Sequence, residues 1–230
     1  MLIYAHRGAS ADFPEMSRAA YLGAVDQGAD GFECDLRLTR DRVLICWHDN
    51  DLQRIVGSPL VVAQSTLAQL RAVTEILTFD ELLEIALSHK KNLALETKHP
   101  VPSGGAVERA LLKILGEKRA RIEESGIDIA IMSFSWWAVR RVTRAGYKGV
   151  YLIAHRWQRA FSFFDAVGPG IFLLRNDRHL ATKLARGDRK IFIWTVNTTQ
   201  DLEIAHHAGA AVVMSDKPGE MKAHSKWLKP

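Results

Sequence analysis

Five short stretches of the sequence hold side chains that could cleave a phosphate ester: His6-Arg7-Gly8, Glu33-Cys34-Asp35, His48-Asp49, Glu96-Thr97-Lys98-His99 and Trp194-Thr195-Val196-Asn197. Glu33 and Asp35 stand two apart, so in a strand their carboxylates share one face. Joined by Glu96, they make three like charges that raise one another's pKa values unless a cation neutralises them. A hard, oxygen-loving divalent ion such as Mg2+ or Ca2+ meets that need. Zinc is disfavoured, because the cluster brings no thiolate and the histidines are wanted for other work. Arg7 and Lys98 are suited to gripping a phosphate, and His6 and His48 to moving a proton. Metal, phosphate clamps and an acid/base pair together describe phosphoryl transfer or phosphodiester cleavage.

Those stretches must converge in space, and the order of elements shows how. Apolar, β-branched runs at 2–6, 31–38, 43–48, 93–98, 129–134, 149–153, 171–174, 191–196 and 211–215 read as strands. Amphipathic stretches at 16–28, 80–90, 105–124, 136–145, 177–186 and 199–208 separate them, and Gly28, Gly126, Gly146, Gly187 and Gly209 stand where helix C-caps belong. Strand alternating with helix implies right-handed parallel crossovers. Only residues 39–42 separate 31–38 from 43–48, too few for a parallel crossover, so that pair is an antiparallel hairpin. Eight parallel strands remain, the closure number of an α/β fold of the (β/α)8 TIM type, and 230 residues is close to its usual size of about 250. A doubly wound open sheet is the alternative, but no G-x-G-x-x-G loop follows the first strand. Residues 1–230 then form one barrel domain with a short insertion at about 50–78 after the hairpin, marked by Gly57-Ser58-Pro59. In such a barrel the chemistry gathers at the carboxyl ends of the strands. Pairing Thr39 with Arg42 sets Glu33 opposite His48 and Asp35 opposite Cys46, with Cys34 on the other side of the ribbon.

Composition excludes several other classes. With 47% hydrophobic and 25% charged residues the chain is ordinary for a globular protein, and it is long enough to bury a core without staples. No run approaches the roughly 18 apolar residues of a membrane span, and no segment couples low hydrophobicity to a block of charge. The N-terminus lacks the apolar core and cleavage site of a secretory signal, so a cytoplasmic protein is expected. Cys34 and Cys46 form neither a disulfide framework nor a C-x-x-C metal pair and read as small buried hydrophobes. The 31 basic and 26 acidic residues leave a charge of +5, which favours anionic ligands such as phosphates or a weak contact with an acidic membrane surface. That charge is mild and scattered, with no run of five or more basic residues, and no nucleic-acid partner is expected.

Taken in order, His6-Arg7-Gly8, Pro14-Glu15, Glu33-x-Asp35, His48-Asp49, Glu96-x-Lys98, Trp194-Thr-Val-Asn197 and Ser215-Asp216-x-Pro218 resemble the glycerophosphodiester phosphodiesterase family over almost the whole chain. The resemblance implies a TIM-type barrel with a small insertion after the H-D pair. It also implies metal-dependent hydrolysis of small glycerophosphodiesters to sn-glycerol 3-phosphate and an alcohol. By position it implies Glu33, Asp35 and Glu96 as ligands of a divalent cation, Mg2+ or Ca2+, and His6 and His48 as the general acid/base pair. Arg7 and Lys98 would grip the phosphate, and Trp194 would stack on the glycerol moiety. Attack of the glycerol 2-hydroxyl on phosphorus would give a cyclic phosphate that water then opens. A lysophospholipase D, or a lyase that stops at the cyclic phosphate, is the alternative. Two segments depart from the family's pattern. Pro14-Glu15-Met16-Ser17 stands where P-E-N-T is usual, which is expected to remove a polar group near the pocket mouth, and the usual R-T-T-x-G is reduced to Arg54-Ile-Val-Gly57. Glu15 is expected to hold Arg7, and Asn197 and Asp216 to serve turns and caps.

Overall fold

The computed structural model describes residues 1–177, 179–185 and 187–228. β1 (Leu2–His6) and β2 (Gly31–Leu38) lie parallel, and β3 (Leu44–Cys46) returns antiparallel along β2. A separate ribbon follows, β4 (Asp51–Leu52) with β5 (Ser58–Val61). Next come β6 (Asn92–Thr97), β7 (Ile129–Ser133), β8 (Lys148–Ile153), β9 (Ala166–Pro169), β10 (Lys190–Ile193) and β11 (Val212–Ser215). β6 pairs with β2, each later strand pairs in parallel with the one before it, and β11 pairs with β1, so the eight-stranded barrel closes. With helices between its strands, it is a TIM-type (β/α)8 barrel.

Each barrel strand is buried on both faces, which is why the runs read as continuous rather than alternating. Tyr4, Ala94, Met132, Leu152, Ala166, Phe192 and Met214 fill the interior, large against small. Phe32, Cys34, Leu36, Leu93 and Leu95 face outward and pack beneath the helices. The segment after β3 carries a small core of its own, in which Trp47, Leu52, Val62, Leu70 and Ile76 pack on Ile45. Helix Phe79–Ser88 opens with a capping box: Thr78 Oγ1 accepts from the Glu81 N–H at 3.3 Å, while the Glu81 carboxylate accepts from the Thr78 N–H at 2.8 Å. Thr78→Ala removes one half of that exchange, and a loss of about 1 kcal/mol is expected in denaturant unfolding, seen as a lower midpoint with an unchanged slope. Among the described residues, no helix is long and apolar enough to cross a membrane.

Three expectations need correction. The sixth barrel strand is 166–169 rather than 171–174, because Ile171–Asn176 is a helix whose Ile171, Leu173 and Leu174 are buried. Short apolar runs do not separate a strand from a buried helix, and Gly168-Pro169-Gly170 disguised the strand as a turn. Pro169 ends its strand, where a missing N–H costs little. Gly168 lies so close to its neighbour that a Cβ there would meet Leu152 at 2.6 Å. The stretch 105–124 is two helices, Ala106–Glu117 and Arg119–Ser125, that meet at Lys118. Finally, the hairpin pairs Leu36 with Cys46 and Leu38 with Leu44, one residue away from the expected register. Thr39 N–H donates to Val43 O, and Arg42 takes φ 68°, which makes a three-residue loop ending in a left-handed residue rather than a two-residue turn. Cys34 and Cys46 consequently share a face; both are buried and free.

Candidate active site

The chemistry-bearing residues gather at the carboxyl ends of β1, β2 and β6. In β2, Glu33 and Asp35 point inward. Parallel pairing of β2 with β6 sets Asp35 beside Glu96. One carboxylate oxygen from each of Glu33, Asp35 and Glu96 lies within 4.8 Å of the other two, and the three residues are only 2%, 0% and 8% exposed. At the end of β1 the chain turns sharply. Arg7 adopts φ 60°, a left-handed conformation that is costly for arginine. Its N–H donates to Glu33 Oε2 at 3.1 Å, and its side chain swings to bring Nε 3.1 Å from Asp35 Oδ2. Gly8 completes the turn at φ 83°, where a Cβ would strike Ala20 at 2.6 Å. Lys98 Nζ lies 3.1 Å from Asp35 Oδ1 and 2.8 Å from Glu96 Oε1.

Two cations thus face three buried acids, and the balance shows in their titration. Burial pushes Glu33 well above the usual carboxylate range, and the neighbouring Asp35 charge adds to it. Burial, then Asp35, push Glu96 up to about 7, against the pull of Lys98. For Asp35 burial works the same way, but Lys98 and Arg7 outweigh it and hold the group below its ordinary value. Arg7 Nε and Asp35 Oδ2 are buried opposite each other without an aligned hydrogen bond. An all-oxygen donor set, short of positive charge and with an orphaned oxygen, fits a hard divalent cation.

Each histidine is held through Nδ1, which leaves Nε2 for chemistry. His6 Nδ1 lies 2.6 Å from Asp216 Oδ1, and Asp216 in turn accepts from Ser10 Oγ at 3.0 Å and from Asn197 Nδ2 at 2.6 Å. Burial opposes the Asp216 charge, but the hydrogen bond to His6 prevails and brings its pKa to about 2. His48 Nδ1 lies 2.7 Å from Asp49 Oδ1, and burial keeps the His48 pKa below its usual value. Arg54, from the segment after β4, donates Nε to Asp49 at 2.6 Å and Nη2 to Glu15 at 2.5 Å. Glu15 also takes Arg7 Nη1 at 3.3 Å, so one chain of charges joins Arg7 to His48. A cavity of about 220 Å3 is lined by His6, Arg7, Glu33, His48, Glu96 and Lys98 on one side and by Phe134, Leu152, Trp194 and Met214 on the other. Trp194 is fixed by donation from Nε1 to Gly168 O at 2.7 Å and by edge contacts with Phe134 and Phe172.

Every residue singled out from the sequence for the site lines this cavity or touches a residue that does. Glu15 holds Arg7, as expected. Sequence reasoning missed Asp216 and Asn197, which serve His6 rather than a turn, and Arg54 as the link between Glu15 and Asp49. A signal for Asp216 existed: barrel closure sets the end of the last strand beside the end of the first, where His6 stands. Met16 is not among the residues that line the cavity. It is buried in the outer core with φ 56°, its N–H donating to Arg7 O at 2.8 Å, so the family's usual Asn there suits a left-handed backbone.

Residues 6–220 match the Glycerophosphoryl diester phosphodiesterase family. A relative from Mycobacterium tuberculosis, named probable glycerophosphodiester phosphodiesterase 1, is 34% identical over 98% of this chain and 92% of its own length. A glycerophosphodiester phosphodiesterase from Caldanaerobacter subterraneus is 27% identical over 94% of both chains. Among solved structures, the glycerophosphodiester phosphodiesterase from Thermotoga maritima superposes with a TM-score of 0.81 at 21% identity, over 99% of this chain and 98% of that one. An Oleispira antarctica phosphodiesterase in complex with the product sn-glycerol-3-phosphate superposes with a TM-score of 0.75 at 18% identity, over 98% and 97%. At such identities these two show the shared fold. The matched stretch opens at His6, the residue that ends β1, and takes in all the acids, cations and histidines described above; the chain belongs to the glycerophosphoryl diester phosphodiesterase family.

Proposed function

We propose that this protein hydrolyses glycerophosphodiesters to sn-glycerol 3-phosphate and an alcohol, working as one barrel domain over residues 1–230. The observation that carries the reading is the convergence of three buried carboxylates, two cations and two Nδ1-anchored histidines on one cavity. The relative solved with sn-glycerol 3-phosphate as its product supports the same substrate class. Glu33, Asp35 and Glu96 would hold a divalent cation, Mg2+ or Ca2+. When bound, that ion supplies Lewis-acid polarisation and charge neutralisation at the phosphate.

The chain's own residues do the rest. Arg7 and Lys98 grip the phosphate oxygens, and Trp194 offers its indole face to the glycerol carbons. His48, kept neutral by burial, takes the proton of the glycerol 2-hydroxyl as that oxygen attacks phosphorus. His6, oriented by Asp216, gives its Nε2 proton to the departing alkoxide as the phosphorus–oxygen bond to the alcohol breaks. In the second step the roles reverse: His6 takes a proton from water, and His48 returns one to the 2-oxygen as the ring opens. A lysophospholipase D uses the same steps on a substrate bearing an acyl chain.

Incubation with glycerophosphocholine and Mg2+ or Ca2+, followed by phosphorus NMR, tests this. Glycerol 3-phosphate is expected, with the cyclic phosphate at most transient. A persistent cyclic ester would make the enzyme a lyase, and an unchanged diester with either ion would refute the activity. Asp216→Asn keeps the size of the residue but removes the charge that orients His6. A fall in kcat of about 100-fold with KM little changed is expected in steady-state kinetics.

A further inference from the structure

One stretch of the sequence, 129–164, carries all of the protein's excess positive charge. Residues 129–164 contain no Asp or Glu, but six basic residues (Arg140, Arg141, Arg144, Lys148, Arg156 and Arg159) and nine of Phe, Tyr and Trp. The rest of the chain holds 25 basic and 26 acidic residues, so the +5 is concentrated rather than scattered as the composition reads. The stretch comprises β7, helix Trp136–Arg144, β8 and the crossover to β9. That crossover has no α-helix, only the 3-10 turn Arg156–Phe161. Phe164 lies on Tyr151 and on Trp136, 5.8 Å between centroids in each case, and Trp136 meets Trp137 edge-on at 5.0 Å. Trp137, Trp157 and Phe163 stand 68%, 65% and 76% exposed.

The guanidinium of Arg140 sits 5.2 Å from the centre of Trp136 and 5.9 Å from that of Trp137. Arg141, Lys148 and Arg156 are paired with Glu108, Asp128 and Asp177. Arg140, Arg144 and Arg159 have no carboxylate partner among the described residues. Trp137 and Trp157 follow the carboxyl ends of β7 and β8, on the rim that also holds Phe134 and Trp194 of the cavity.

We propose that this face docks the protein onto an anionic lipid bilayer with the cavity mouth turned toward the lipid. Exposed indole and phenyl rings settle at the bilayer interface, and unpaired arginines are drawn to an acidic leaflet over about a Debye length. A second copy is a poor occupant. A two-fold interface sets the same patch against itself and brings Arg140 and Arg159, which have no carboxylate partner among the described residues, toward their own copies. The docking rests on the proposed function only for its purpose, since the mouth would then meet glycerophosphodiesters presented at a membrane.

The test uses the full chain and vesicles of phosphatidylcholine with and without phosphatidylglycerol. Co-sedimentation at low salt is expected to be at least about tenfold stronger with the anionic lipid and to weaken as salt rises. Brominated lipids are expected to quench the tryptophan fluorescence of the unaltered protein. The triple variant Trp137→Ala/Trp157→Ala/Phe163→Ala and the pair Arg140→Ser/Arg159→Ser should each lose about tenfold in binding. Both should turn over soluble glycerophosphocholine at the normal rate. Equal binding to both vesicles, no quenching, variants that bind normally, or stronger binding to a single-stranded oligonucleotide would overturn the proposal. So would a dimer in solution that the same substitutions dissociate. Vesicle binding without hydrolysis of any diester would leave the docking face standing and remove the proposed function instead.

Discussion

Replacing His48 with alanine is expected to lower kcat on a glycerophosphodiester by about 10³–10⁴, and His6→Ala to do the same. Each half of the reaction moves two protons, one from the attacking oxygen and one to the departing oxygen, and each imidazole serves once as acceptor and once as donor. Without either ring, one of the two transfers falls to water in both halves. The losses should therefore not multiply: the double variant is expected to fall little below either single one, as for groups that act as a unit. KM should change little, because the phosphate is gripped by Arg7 and Lys98. Nor should the fold be lost. The His6 and His48 side chains are 16% and 32% exposed, and each ring is anchored mainly to one carboxylate. Asp216 keeps its bonds to Ser10 and Asn197 when His6 is gone. Circular dichroism and melting temperature check this point beside the kinetics. If both variants turn over at near-normal rates with metal present, the acid/base assignment is wrong.

The barrel was legible because strands alternate with helices, because the 39–42 connection is too short for a crossover and leaves eight parallel strands, and because no G-x-G-x-x-G loop of a doubly wound sheet follows the first strand. The acids were legible because a spacing of two in a strand forces one face. What escaped was decided by geometry that sequence spacing does not express. The hairpin register turned on whether its loop has two residues or three, and the left-handed Arg42 selects three. The sixth strand hid in Gly168-Pro169-Gly170, where close packing against Leu152 requires the glycine that a reader of sequence takes for a turn. Asp216 reaches His6 across 210 positions of chain, a contact visible only once β11 is known to close on β1. Arg54 was noticed as the remnant of a longer motif. Its partners Glu15 and Asp49 come from two different loops and are joined only in three dimensions.

Exhaustive chelation is expected to lower turnover by more than about 10³-fold, with Mg2+ or Ca2+ restoring it. The physical reason is charge. Arg7 and Lys98 are already engaged with Asp35 and Glu96, and they cannot serve three buried acids and a phosphate dianion or monoanion together. The same imbalance gives a signature that needs no substrate. Glu96 has a folded pKa of about 7 against an ordinary 4.5, and Glu33 is raised as well, so between those values the metal-free fold binds more protons than the unfolded chain. These two carboxylates then cost stability as pH rises through that window, offset in part by His48, whose lowered pKa acts in the opposite sense. Glu96 alone costs the metal-free protein on the order of 3 kcal/mol by pH 8, or roughly 6–12 °C in Tm. A divalent cation competes with those protons, so it should stabilise little at pH 5 and most at pH 8. Calorimetry across that range, in EDTA and in Mg2+ or Ca2+, reads the difference directly. Glu96→Gln should make the EDTA curve shallower, leaving the contribution of Glu33, and abolish most of the gain from metal. A Tm gap that is the same at both ends of the range, or full activity after chelation, would remove the cation from the site.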